Sequence, residues 1–375
     1  MLIVDSTKNH KQLGLLGIKN YKILSIIIIL FFFQSISILS AINVIEFFRV
    51  YKNITLGVLF FLTSMKIINN TKKASFILLI LLGTFFLNSI IQIIIYWRPW
   101  FLYSILSNIL YEGYWKGVVV QAERNRYFIE FFDGALIPLI FYFFIKTRYF
   151  LLKLIYIILI FLTYFLALVS NFRIELIVVL FTTTCTISLF KKNKKYFIFF
   201  VVLAVLFFYI GRNIAISFMR YSSFERLILE DREDVETIIT RIYFWNKAIE
   251  MGLSSPLLGI GLGNYYDYFP KKITKSVIGN RDEIAKMTLI HSHNIFFEAF
   301  AETGTIGLVT VIILFTFFLI TDYRHLKTGS ILTKLLVVSF WSLFISSLTG
   351  PRIIIQYIIL FWTIRALIEK ERLLT

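Results

Sequence analysis

The sequence predicts an all-α fold: a polytopic helical membrane protein with about 10–12 transmembrane helices and one large loop on the outer side. Three observations predict it. Hydrophobic residues make up 58% of the 375, with a mean hydropathy of +0.79, where a soluble domain sits nearer half apolar. Apolar runs long enough to cross a hydrocarbon core of about 30 Å recur along most of the chain. These runs are continuous rather than alternating, which argues against a transmembrane β-barrel.

Taken in order, the runs place spans at 23–43, 54–69, 76–96, 128–146, 149–170, 174–190, 196–217, 295–320, 331–349 and 352–368. The first is long and no small-residue cleavage site follows it, so it does not read as a cleaved signal. The segment 98–127, "RPWFLYSILSNILYEGYWKGVVVQAERNRY", is less apolar and carries several charges. It reads as an interfacial or re-entrant piece, or as a weak eleventh span.

Orientation follows from the basic residues, which collect in cytoplasmic loops. "KKNKK" (Lys191 to Lys195) is the densest cluster and is placed inside. The N-terminus, Lys146 to Arg148, Asp322 to Lys327 and the tail "EKER" then also fall inside, provided that 98–127 does not cross. The stretch 218–290 falls outside. It holds ten Lys/Arg and ten Asp/Glu and so lacks the positive excess of a cytoplasmic loop. The chain is thus read as N-terminal transmembrane helices 1–217, an external loop 218–290 and C-terminal transmembrane helices 291–375, together a single integrated membrane domain.

The net charge of +17 is explained by those cytoplasmic loops. No basic-aromatic nucleic-acid motif accompanies it, so no nucleic-acid partner is expected. Cys185 is the one cysteine, which excludes an intramolecular disulfide and a cysteine-pair metal site.

The external loop leads into "HSHNIFFEAFAETGTIG", His291 to Gly307, which holds two of the chain's four histidines. Read as a helix from residue 295, it has Asn294 as N-cap. His293 sits just before the first turn, where the positive helix end disfavours an imidazolium and leaves a neutral ring, as a general base must be. The same end favours an anion such as a phosphate. Gly304 and Gly307 fall close to the His293 face of a continuous helix, where small residues let another helix approach. The competing reading is an interfacial histidine with a cap and a packing face. A His-x-His metal site is a third, without a third-ligand pattern to support it.

Upstream lies "RIYFWNKAIEMGLSSPLLGIGLGNYYDYF", Arg241 to Phe269. Its alternating Gly259, Gly261 and Gly263 read as a tight turn, since a dinucleotide fingerprint needs a strand–turn–helix. Tyr243, Trp245, Tyr265, Tyr266 and Tyr268 either stack on sugars or sit in the interfacial aromatic belt. Arg173 lies at the outer end of one span and Arg352 at that of another. Each either snorkels to headgroups or clamps a phosphate through two parallel hydrogen bonds. Arg212 and Arg220 carry the same ambiguity.

In sequence, these pieces form a pattern: Arg173 at a span end, Arg241-x3-Trp245-x2-Ala248, Pro256-x2-Gly259-x-Gly261-x-Gly263-Asn264, then His293-Asn294-x9-Gly304-x2-Gly307. It resembles the O-antigen ligase superfamily, bacterial membrane glycosyltransferases that use polyprenyl-diphosphate-linked glycans. Close motif identity covers about 241–307; Phe172 precedes Arg173 where the family often has serine.

The resemblance implies a multi-pass protein of the bacterial inner membrane with 218–290 as a periplasmic loop. Its donor would be a glycan on undecaprenyl diphosphate, presented at the periplasmic face. The expected function is O-antigen ligase in lipopolysaccharide biosynthesis, with a sugar hydroxyl of the lipid A–core as acceptor. The alternative is a repeat-unit polymerase, with a second lipid-linked glycan as acceptor. A transporter of the same lipid-linked sugars is a third reading.

For transfer, the diphosphate leaving group needs cationic stabilisation, from Arg173, Arg241 or Arg352. The acceptor hydroxyl needs a base, His293. A single displacement would invert the anomeric carbon, with no metal, nucleotide or other cofactor. Trp245, Gly259, Gly261, Gly263, Asn264, Asn294, Gly304 and Gly307 are substrate-binding or structural.

Overall fold

A computed structural model describes residues 21–68, 70–97, 133–169, 173–191, 193–218, 232–268, 292–348 and 355–374. Among them are eleven α-helices and no strand. They are α1 (Tyr21–Ile36), α2 (Val44–Ile67), α3 (Thr71–Trp97), α4 (Ile137–Lys146), α5 (Phe150–Val169), α6 (Arg173–Leu189), α7 (Lys194–Phe218), α8 (Arg232–Ser254), α9 (Ile295–Thr328), α10 (Ile331–Ser347) and α11 (Ile355–Leu374). Short 3₁₀ turns at Ser37–Ser40 and Asp133–Leu136 extend α1 and precede α4.

Each of the ten expected spans carries a helix, with shifted ends. The helix at 54–69 begins ten residues earlier, because Asn43 caps α2: its Oδ1 accepts from the Ile45 and Glu46 N–H groups at 3.1 and 3.4 Å. Of the span expected from 128, the described residues begin at Asp133, and Pro138 sits in the first turn of α4, where its missing N–H is harmless. α8 lies inside the stretch 218–290, and the segment 98–127 lies outside the described residues.

Among the described residues, the stretches Ile23–Ser40, Phe150–Leu168 and Ile295–Thr328 are long and apolar enough to cross a membrane, and Gly134–Lys146, Ile174–Leu189 and Ile331–Ser347 are shorter apolar helices. Their outward faces carry large apolar side chains, such as Phe32, Phe150, Leu151 and Leu319, all more than half exposed. A surface of this kind belongs against lipid rather than water. The protein is an all-α polytopic membrane protein.

The chain forms two compact units: 1–74 with 238–330 and 347–375, and 75–237 with 331–346. In the second, α4, α5, α6 and α7 pack on one another through rings such as Phe141 and Phe200, 4.0 Å apart. Thr182 of α6 bonds Ser342 of α10 at 2.7 Å, so a buried hydroxyl pair replaces an unsatisfied one in an apolar setting.

In the first unit α11 packs along α2, and α1 along α9. α2 and α11 meet at Gly57, where a Cβ would strike Ile358 and Trp362. Midway along its length, α11 buries Arg365 completely. Its Nη1 donates to both Asp322 carboxylate oxygens at 2.9 Å, and its Nη2 to Thr321 Oγ1 at 3.2 Å. It also pairs with Glu369, and the guanidinium lies 4.1 Å from the centroid of the Phe318 ring. Sequence reading counts Asp322 and the tail charges only as markers of the cytoplasmic side. The structure uses Asp322, Arg365 and Glu369 to join α9 to α11.

Candidate active site

The motif residues of the first unit assemble from three pieces: the middle of α8, the turn 255–268, and the start of α9. Arg241, Trp245 and Ala248 recur at helical spacing and share one face of α8. Ala248 is fully buried with Phe244, Met251, Ile260, Tyr265 and Ala301, so that face packs on the turn and on α9.

α9 is broken. Gly304 has φ 64° and ψ −165°, so the helix stops at residue 303 and resumes at 305. The continuous helical face expected to carry His293, Gly304 and Gly307 together is therefore absent: glycine tolerates a left-handed conformation that a Cβ resists, and the chain turns there. The break leaves backbone groups to be satisfied, and the glycine turn satisfies them. Thr305 N–H donates to Pro256 O at 2.8 Å, Ile260 N–H to Ala301 O at 2.9 Å and Gly261 N–H to Glu302 O at 3.0 Å. In an unbroken helix those two carbonyls would have taken the N–H groups of residues 305 and 306.

This stitch explains the glycines. Gly259, Gly261 and Gly263 all have positive φ (68°, 96° and 78°). A Cβ on Gly259 would meet the backbone of Ala301 to Thr303, one on Gly304 the backbone of Leu257 and Gly259, and one on Gly261 Ala41. The tight-turn reading holds. We expect Gly304→Ala to destabilise the protein by at least about 1–3 kcal/mol, from left-handed strain plus a backbone clash. Gly83→Ala, at a helical site with open space around it, should cause no loss. Thermal midpoints in detergent compare the two.

Asn264 is fully buried and structural. Its Nδ2 donates to Leu262 O at 2.9 Å and to Asn43 O at 3.2 Å, and its Oδ1 accepts from Asn43 N–H. It thus ties the turn to the cap of α2. Tyr265 is a core residue, neither belt nor sugar platform: its hydroxyl donates to Phe244 O at 2.5 Å. Burial, then the carboxylates of Glu298 and Glu302, push its phenol well above the usual range.

Asn294 caps α9 as expected, accepting from Phe296 N–H at 2.9 Å and Phe297 N–H at 3.4 Å. Two of the donors expected to face an anion are thereby used by the cap itself. His293 stands just before it with φ 50°, the one non-glycine with positive φ among the described residues. Its ring centroid lies 6.3 Å from that of Phe244. Trp245 stacks on Phe297 at 5.3 Å and donates from Nε1 to Ser292 O at 2.8 Å. Ser292, fully buried, accepts at Oγ from Asn294 N–H at 3.2 Å. Its hydroxyl reaches Asn294 O at 2.8 Å and Glu298 Oε2 at 3.3 Å.

Arg241 lies one turn before Trp245 and Phe244 on α8, so it joins His293 in this unit. Gly307 follows the break, one turn after Thr303, whose side chain would meet its Cβ. Arg173 opens α6 in the second unit. Arg352 and His291 lie outside the described residues. Sequence reading gave no part to Ser292, Glu298 and Glu302. The visible signal was two glutamates at helical spacing from an N-cap beside a histidine. Among the described residues, no three His, Cys, Asp or Glu side chains converge as a metal site.

Residues 157–312 match the O-antigen ligase family. Over 103 residues the chain is 33% identical to the exopolysaccharide production protein ExoQ of Rhizobium meliloti (strain 1021), a match covering 27% of this chain and 23% of that protein. No solved structure matches. Arg173, Arg241, Trp245, the glycine turn, Asn264, His293, Asn294, Gly304 and Gly307 all lie within 157–312, and Arg352 outside it. Through that segment, set in a helical membrane protein, the chain is similar to the O-antigen ligase family.

Proposed function

We propose that the protein is an O-antigen ligase. It moves a glycan from undecaprenyl diphosphate to a sugar hydroxyl of the lipid A–core at the periplasmic face of the bacterial inner membrane. The observation that carries this is His293, a strained, half-buried histidine at the mouth of a capped helix, on the side of α8 that bears Arg241. Strain of this kind gathers at functional sites.

The neutral imidazole takes the proton of the acceptor hydroxyl as its oxygen attacks the anomeric carbon. The bond to the diphosphate oxygen breaks as the new one forms, with inversion. Arg241 is the guanidinium that holds the departing diphosphate, whose charge needs cations rather than a proton. Arg173 and Arg352 share that role by resemblance to the family. The mechanism uses no metal and no cofactor. The apolar helices would bed the lipid tail.

One observation favours a second reading. The match to an exopolysaccharide production protein suits a repeat-unit polymerase, which uses the same donor and the same base with a second lipid-linked glycan as acceptor. Deleting the gene separates the two. A ligase's loss leaves lipid A–core uncapped while long polymer accumulates on undecaprenyl diphosphate. Lipid A–core bearing a single repeat unit in the deletion strain means that ligation is intact and this protein is the polymerase.

A further inference from the structure

The backbone at His293 is held by side chains on both sides of it. A residue with a Cβ enters the left-handed region only where its surroundings over-determine it. On the N-terminal side, the Ser292 carbonyl is fixed by the Trp245 indole at 2.8 Å, and that indole is itself stacked on Phe297. On the C-terminal side, the Ser292 hydroxyl spans residue 293, within reach of both the N–H and the carbonyl of Asn294. Glu298, buried one turn into α9, stands 3.3 Å from that hydroxyl. The imidazole rests beside Phe244, the neighbour of Trp245 on α8. One helix therefore supplies both the contact to the ring and the anchor of its backbone.

We propose that Ser292 and Trp245 are positioning residues for His293: the hydroxyl of one and the indole N–H of the other lock residue 293 in its left-handed conformation and so aim the imidazole for transfer. The inference rests on His293 being the base. A Ser292 that only filled space would not need three polar partners in a fully buried position. Neither residue has to touch substrate for this role, because both act through the main chain on either side of the histidine.

A misaimed base loses turnover while the donor still binds. Displacements of about 1 Å around a reacting group lower rates by up to roughly 100-fold. The test uses the purified full-length protein and a transfer assay with undecaprenyl-diphosphate-linked glycan, with kcat, donor KM and thermal midpoint measured together. Ser292→Ala removes the hydroxyl, and Trp245→Phe keeps the stack on Phe297 while removing the N–H. We expect each to lower kcat about 10- to 100-fold and leave the donor KM within about threefold, since no donor contact is removed. Should Ser292→Ala fail to accumulate, Trp245→Phe and Glu298→Gln carry the same measurement.

Wild-type kcat in these variants, beside a dead His293→Ala, overturns the positioning role and leaves the base in place. Parallel loss of kcat, donor affinity and thermal midpoint also overturns it, in favour of a folding role. An active His293→Ala defeats the base reading itself.

Discussion

His293→Ala is expected to abolish glycan transfer while the protein still inserts and accumulates. Losing a positioned base costs about 10²–10⁴-fold in rate, and the acceptor hydroxyl has no strong nucleophilicity of its own. The cap of α9 belongs to Asn294, so the start of that helix is left in place. The check is transfer by purified protein at matched amounts. Near-normal transfer removes His293 from the mechanism. His291→Ala is the control and should lose far less. Arg241→Lys should remain crippled, since an ammonium cannot reproduce the two-pronged grip of a guanidinium on a diphosphate.

Arg365→Met should have the largest effect on folding. It leaves Asp322 and Glu369 buried, 1% and 4% exposed, without the guanidinium that pairs both. Removing one partner of a buried ionic group costs about 3–5 kcal/mol, enough to deplete the protein from the membrane. Asp322→Asn should be far milder: an amide keeps the shape and one acceptor, and Arg365 retains Glu369. Membrane accumulation and thermal midpoint should rank the two in that order. Equal behaviour would mean that the charges contribute little there.

What the sequence disclosed was mostly local. The cap at Asn294 could be read because its partners are two and three residues away. The tight turn at Gly259–Gly263 could be read because alternating glycines have few other uses. The role of Asn264 could not, because its partner, Asn43, is 221 residues distant. Gly304 misled for a physical reason: glycine serves equally as a small residue on a helix face and as a left-handed break. Choosing between them requires knowing that the turn 256–261 arrives to fill the break. Arg365 was hidden in another way. A charge near the end of an apolar run looks the same in sequence whether it faces water or another helix.

The stitched break in α9 also acts as a measure of length. The nine residues between Asn294 and Gly304 form a peg of about two and a half turns. One end carries His293, and the other is pinned to the glycine turn. Each residue added to the peg swings the histidine about 100° around the axis and lifts it 1.5 Å. No rotamer change could undo that. Along this stretch the number of residues is therefore more tightly constrained than the identity of those whose side chains point away from the core. The place of His293 is set by a count, and the pinned turn is the zero of the scale.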